Sequence, residues 1–141
     1  MKKLPAKSPF PENITLLTVS LNQEDRQSLE RILDRDCWTV QGARSLREAT
    51  TLLRARPSLI LCEKDLPDGS WQDVFREACG LDDPPPVVVV SRHADERLWA
   101  EVLNFGGYDV LPEPFEYSEV RRVMDMALRH GRHAANYAAC A

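Results

Sequence analysis

Chemistry in this chain has few places to reside. Ser20 closes the apolar run ITLLTVS and Leu21 follows it. Glu63 follows SLILC, Ser91 and Arg92 follow four consecutive valines, and Glu113 stands just past YDVL. Carboxylates can act as nucleophiles, acids, bases or ligands for hard cations. Two carboxylates sharing one pocket raise at least one pKa unless a cation lies between them. Two neighbouring side chains could supply that cation, Arg92 beside Ser91 and Lys64 beside Glu63. One of them is expected to lean over the pocket and neutralise Glu63 or Glu113; the competing expectation is that Arg92 simply points to solvent.

Other chemistry finds little support. No histidine stands beside a serine or cysteine in a triad-like arrangement, and His93, His130 and His133 read as loop and tail residues. Cys62 adjoins Glu63, but neighbouring strand residues point to opposite faces. Cys37, Cys62, Cys79 and Cys140 form no Cys-x-x-Cys pair and no zinc spacing, so reduced thiols are expected, with Cys37 and Cys62 as small buried hydrophobes. Neither 21–25 nor 67–70 is a glycine-rich phosphate cradle.

The residues after the apolar runs need elements to hold them, and the chain supplies alternating strands and helices. Strands are predicted over 14–20, 37–41 (weak), 58–62, 87–90 and 108–111, each an apolar or β-branched run suited to a parallel sheet. Asn22 is placed to cap the first helix, with Gln23, Glu24 and Asp25 in its first turn and Leu29, Ile32 and Leu33 as its stripe. Ser45 to Glu48 reads as a capping box opening a second helix, which Pro57 terminates. Leu66-Pro67-Asp68-Gly69 is a turn, and a third helix is predicted over 71–79. The proline-rich 80–86 is a loop. A fourth helix, 95–105, ends at Gly106-Gly107, and the fifth runs over 116–132. Core packing is the expected role of Trp99 and Tyr108. The sum is an α/β fold, a doubly wound five-stranded parallel sheet with five helices. In such sheets ligands bind beyond the carboxyl ends of the strands, where these candidate residues stand.

Composition bounds the function. The 141 residues suit one domain; 43% are hydrophobic and 28% charged, as in ordinary globular chains. With 18 basic and 22 acidic residues the net charge is −4, which gives no footprint for nucleic acid. No run is long enough for a membrane span or a signal peptide, so a cytoplasmic protein is expected. Residues 1–12 and 133–141 read as extensions flanking a domain at 13–132.

Four segments resemble the receiver domains of two-component response regulators, the CheY-like family. LLTVSLNQEDRQSLERIL (16–33) is similar to the first strand and helix, PSLILCEKDLPDGS (57–70) to the phosphoacceptor strand and its turn, PPVVVVSRHADERL (85–98) to the fourth strand, and GGYDVLPEPF (106–115) to the fifth strand with its Lys-Pro-Phe motif. The resemblance implies the flavodoxin-like strand order 2-1-3-4-5 and a cis peptide bond before Pro114. It also implies a phosphoacceptor at Glu63, Mg²⁺ ligands at Ser20 and Leu21, a lysine at Glu113 and switch residues at Ser91 and Val110. Of those groups only the hydroxyl of Ser91 is the family's own. The expected consequence is a degenerate receiver with no metal, no cofactor and no enzymatic activity. Such a module signals by binding a kinase, regulator or output protein, or a second copy through the face of the fourth helix, fifth strand and fifth helix. Glu63 is then either a built-in mimic of a phosphorylated aspartate or a spent site. The alternatives are a regulator phosphorylated on Glu63 and a small flavodoxin-like ligand or enzyme domain. The chain acts either by itself through a partner or as the receiver part of a longer protein.

Overall fold

The computed structural model describes residues 14–33 and 38–131. The expected extensions, Cys37 and Cys140 lie outside those residues. Five parallel strands form one sheet: β1 (Ile14–Val19), β2 (Trp38–Ala43), β3 (Leu59–Glu63), β4 (Val87–Ser91) and β5 (Asp109–Pro112). Their order is β2-β1-β3-β4-β5, as the resemblance implies. Five helices connect or follow them: α1 (Gln23–Ile32), α2 (Leu46–Leu52), α3 (Trp71–Cys79), α4 (Glu96–Phe105) and α5 (Tyr117–Met126). A π-helical turn, Ala127–Gly131, extends α5.

Period-two alternation along the strands sorts the core into two layers. Leu17, Val19, Ile60, Cys62, Val87 and Val89 pack with Ala49, Trp71, Val74 and Val102 of α2, α3 and α4. Leu16, Leu59, Leu61, Val88 and Val90 face the other way, onto Leu29 of α1 and Val120, Val123 and Met124 of α5. The residues of β1, β3 and β4 are almost all buried because helices cover both faces of the sheet, whereas the edge strand β2 buries only Ala43. On one face Trp71, 2% exposed, meets Phe105 edge-on at 5.2 Å between ring centroids, and Phe75 joins them.

Helix ends follow their capping chemistry, with two departures from the sequence expectation. Asn22 accepts from the amides of Glu24 and Asp25, as predicted. Ser45 accepts from the Glu48 amide, but the Glu48 carboxylate receives the amide of Arg44 and not that of Ser45. The reciprocal capping box stands instead at α3, between Ser70 and Asp73. Strand β2 begins at Trp38 and runs on to Ala43, two residues past its predicted end, because it pairs with all of β1. At the end of α4, Gly106 adopts φ 125°, open to glycine at little cost.

The 66–69 turn closes a small hairpin, Asp65–Leu66 against Gly69–Ser70. Its Asp68 carboxylate caps a different element, accepting from the amides of Leu46 at 2.7 Å and Arg47 at 3.1 Å at the start of α2. The Leu46 amide is the main cause holding the Asp68 carboxyl below its ordinary value of 3.8. A carboxyl depressed on folding contributes stability above its unfolded pKa and loses it as pH falls through the folded value. Asp68→Ala is therefore expected to lower the urea midpoint at pH 7, with the gap closing below about pH 4. Equal midpoints at pH 7 would show that the cap contributes nothing.

Candidate functional site

The carboxyl ends of β3, β4 and β5 converge on one cleft, lined by Glu63, Ser91, Arg92, Asp95, Arg97 and Glu113 among others, and Ser20 at the end of β1 borders a small cavity with Glu63 and Glu113. Alternation decides how Glu63 enters it. Cys62 points into the α2–α3–α4 layer, so Glu63 turns toward α1 and α5. Burial, and secondarily the Glu63 carboxylate, push the Cys62 thiol up, away from the reactive thiolate.

Glu63 has a second carboxylate beside it, Glu113, and also a third that the sequence reading did not place there. Asp25 of α1 and Glu113 after β5 bring their carboxylates to it, so that one oxygen from each of the three lies within 4.8 Å of the others. Two unit charges at that spacing repel by roughly 3 kcal/mol at an effective dielectric of about 20. Glu113 is 7% exposed, and its Oε2 is buried with no hydrogen-bond partner. Asp25 Oδ2 is orphaned in the same way. Burial first, then the Asp25 carboxylate, raise the Glu63 carboxyl above its ordinary value; Arg92 and a hydrogen bond from Ser20 pull it down. Burial likewise raises Asp25, again opposed by Arg92.

In sequence terms Asp25 has only a helix-dipole role. The signal that could have found it is its spacing: Asp25, Leu29 and Leu33 are four residues apart, on one stripe, and both leucines are buried. The stripe that seats α1 on the sheet therefore carries Asp25 inward over the end of β3.

The remaining candidates divide. Ser20 accepts from the Asn22 amide at 2.9 Å, and its hydroxyl bonds to Glu63. Ser91 is buried and accepts from the His93 amide at 3.0 Å. Arg92 is exposed at the rim, and its charge opposes the upward shift of both the Glu63 and the Asp25 carboxyl. Lys64 pairs with Asp65 at 3.8 Å. Leu21 does not belong to the pocket: it is 56% exposed and lines neither the cleft nor the cavity beneath it. The chain turns at Leu21 toward the Asn22 cap, which swings that side chain outward. Val110 is buried in the α2–α3–α4 layer, away from the carboxylates. The Glu113–Pro114 bond is cis.

Trp99 departs from expectation. It is 50% exposed, and its indole N–H donates to Asp109 Oδ1 at 3.0 Å across α4 and β5. Leu98 and Val102 take the buried positions of that helix, which turns Trp99 outward. Tyr108 packs part-buried against the α1–α5 layer.

The geometry meets its counterpart in known proteins. The response regulator receiver domain family matches residues 17–125. Among similar proteins, the KDP operon transcriptional regulatory protein KdpE of Escherichia coli K12 is 33% identical over 129 residues, covering 86% of this chain and 55% of that one. Response regulator protein PilR of Pseudomonas aeruginosa is 29% identical over 114 residues, covering 80% of this chain and 26% of that protein. The chain thus spans between about a quarter and about half the length of these relatives. Among solved structures, the receiver domain of a LuxO repressor protein from Vibrio parahaemolyticus superposes with a TM-score of 0.77 at 20% identity, covering 86% of this chain and 94% of that one. The receiver domain of the sensor histidine kinase PA1611 from Pseudomonas aeruginosa, with magnesium in its cleft, gives 0.72 at 21% identity and 83% and 98% coverage. A sheet of this order with a carboxylate at the end of β3 is a receiver architecture, and the chain belongs to the response regulator receiver domain family.

The magnesium implied by that family calls for an acidic pair at the end of β1. Ser20 offers a hydroxyl already engaged with Asn22 and Glu63, and the Leu21 side chain has no donor atom. The residues at those two positions do not fit the family's ion. No helix among the described residues is long and apolar enough to cross a membrane.

Proposed function

We propose that this receiver signals by binding a protein partner, without Mg²⁺-dependent phosphorylation of its β3 carboxylate, and that it is not an enzyme. Glu113 carries the reading. Phosphoryl transfer needs cations around the equatorial oxygens of the transferred group. Here a buried carboxylate stands where the family places a lysine, within 4.8 Å of Glu63 and Asp25 oxygens. Glu63 is also one methylene longer than aspartate, enough to displace a nucleophilic oxygen by about 1 Å, which can cost on the order of 100-fold in a positioned reaction. A glutamate carboxylate carries one negative charge where a phosphoryl group carries nearly two, which favours a spent site over a mimic.

The partner surface proposed is that of α4, β5 and α5. Trp99 and Leu103 on α4 and Tyr117 and Met126 on α5 are large apolar or aromatic residues left exposed. Residues of this kind anchor protein interfaces.

The test is intact-mass spectrometry after incubation with acetyl phosphate and Mg²⁺. No phosphoryl adduct is expected on the natural chain, on Glu63→Asp or on Glu63→Gln. An adduct on the natural chain that disappears in Glu63→Gln would overturn the proposal and make Glu63 a working phosphoacceptor.

A further inference from the structure

We infer that the cleft floor formed by Asp25, Glu63 and Glu113 receives one lysine or arginine side chain from a partner protein. Its charged end bonds Glu63 and Glu113, and its neighbours on the partner carry carboxylates. The inference deepens the partner-binding reading above and rests on it, though not on whether Glu63 accepts a phosphoryl group.

Acidic residues often cluster without a ligand. Glu113 sets this cluster apart. It is 7% exposed, borders both the cleft and the cavity beneath it, and its Oε2 has no hydrogen-bond partner. Asp25 Oδ2 is bare in the same way. Buried polar atoms are nearly always satisfied, and a buried carboxylate left unpaired is costly. The chain's own cations do not meet that need. Arg26 pairs with Glu30 at 3.5 Å and Lys64 with Asp65 at 3.8 Å. Arg92 and Arg97 stand exposed on the cleft wall, and no ion pair reaches Glu113 among the described residues.

A nitrogen cation fits the geometry. One oxygen from each carboxylate lies within 4.8 Å of the others. Two charge-assisted bonds from one nitrogen, each about 2.8 Å long, span about 4.6–4.9 Å at the bond angles of an ammonium or a guanidinium. A single charged end therefore reaches two of the oxygens. The cleft above them holds about 380 Å³, room for one long side chain. Leu98, buried at its wall, offers apolar surface to the methylene stem.

The rim selects the kind of ligand. Arg92 and Arg97 repel a free cation and attract carboxylates placed beside it. A protein surface with one basic residue ringed by acidic ones matches both floor and rim, whereas a bare amine or guanidinium matches the floor alone.

NMR titration of the full chain with a capped peptide, one arginine flanked by two glutamates on each side, tests this at up to millimolar concentration. Saturable shifts are expected at the amides of Glu63, Ser91 and Glu113. The same peptide with citrulline keeps the shape and loses the charge, and is expected to bind at least roughly tenfold more weakly. The arginine peptide is expected to lose as much on Glu113→Gln. Free arginine, the other source of the same cation, is expected to bind more weakly than the peptide; equal binding would assign the floor to a small molecule and overturn the partner. The inference also fails if no shift saturates, if the citrulline peptide binds equally well, or if Glu113→Gln loses nothing. The two peptides on the natural chain decide the matter even if Glu113→Gln does not fold. A phosphoryl adduct on Glu63 would overturn the absence of phosphorylation and leave these titrations standing. A protein partner indifferent to Glu113→Gln would overturn this inference and leave partner binding intact.

Discussion

A variant carrying Ser20→Asp, Leu21→Asp, Glu63→Asp and Glu113→Lys is expected to take up one phosphoryl group from acetyl phosphate in the presence of Mg²⁺, and the natural chain is expected to take up none. The scaffold for that reaction is already in place. β3, which ends in Glu63, lies between β1 and β4, β5 lies beyond β4, and the Ser91 hydroxyl stands at the end of β4. What the four changes supply is charge: an acidic pair for the metal, a shorter nucleophile, and a cation in place of a buried carboxylate. Catalysis of phosphoryl transfer is almost entirely positioning and electrostatics, so restoring those groups should restore the reaction. Position 20 faces Glu63 already, since the serine hydroxyl bonds to it. Position 21 demands more, because Leu21 points outward and its replacement must turn in toward the metal. Intact-mass spectrometry reads the outcome. A folded variant with no adduct would show that side-chain chemistry at these four positions is not enough for phosphoryl transfer and that backbone geometry at the β1 end also matters.

The second large effect concerns stability. Trp71→Ala is expected to cost about 3–5 kcal/mol, near the upper end for a single core truncation. Trp71 is 2% exposed and heads α3 directly after the Ser70 cap. It packs edge-on against Phe75 and Phe105, which joins the start of α3 to the end of α4. Gly107 fits closely beside it: a methyl group there would stand 3.5 Å from the indole and 2.5 Å from Val102 Cγ1. The crowded surround is held by backbone on one side and rings on the other, so it has little freedom to collapse into the space an alanine leaves. Urea denaturation followed by circular dichroism measures the loss. A cost below about 1 kcal/mol would mean that Phe75 and Phe105 refill the cavity.

Much of this architecture was legible in local sequence. The four valines of β4, the run ITLLTV of β1 and the stripe of α5 each carry their own period, and burial follows from it. The range of α3, Trp71–Cys79, agrees with the sequence expectation because its cap and its apolar stripe lie within the segment itself. Strand order and the cis Glu113–Pro114 bond came from the family resemblance and not from periodicity.

Side-chain partnerships between elements were not legible in the same way. Glu48 could cap either of two adjacent amides, and only the path of the chain before Ser45 directs it to Arg44. Trp99 looked apolar enough for the core, yet the rotation of α4 is set by Leu98 and Val102, and the ring is left outside.

The sequence by itself determined which carboxylates end the strands, because a strand's position and alternation are local properties of period two. It placed Glu63 and Glu113 at the ligand end of the sheet and put acidic groups where a receiver has an aspartate and a lysine. Only the tertiary structure decided that Asp25 joins them and that Leu21 leaves. The reason is that a helix turns as a rigid body on whatever face it buries. Packing Leu29 and Leu33 against the sheet carries Asp25 over the end of β3, and no pattern within β1 or β3 contains that rotation.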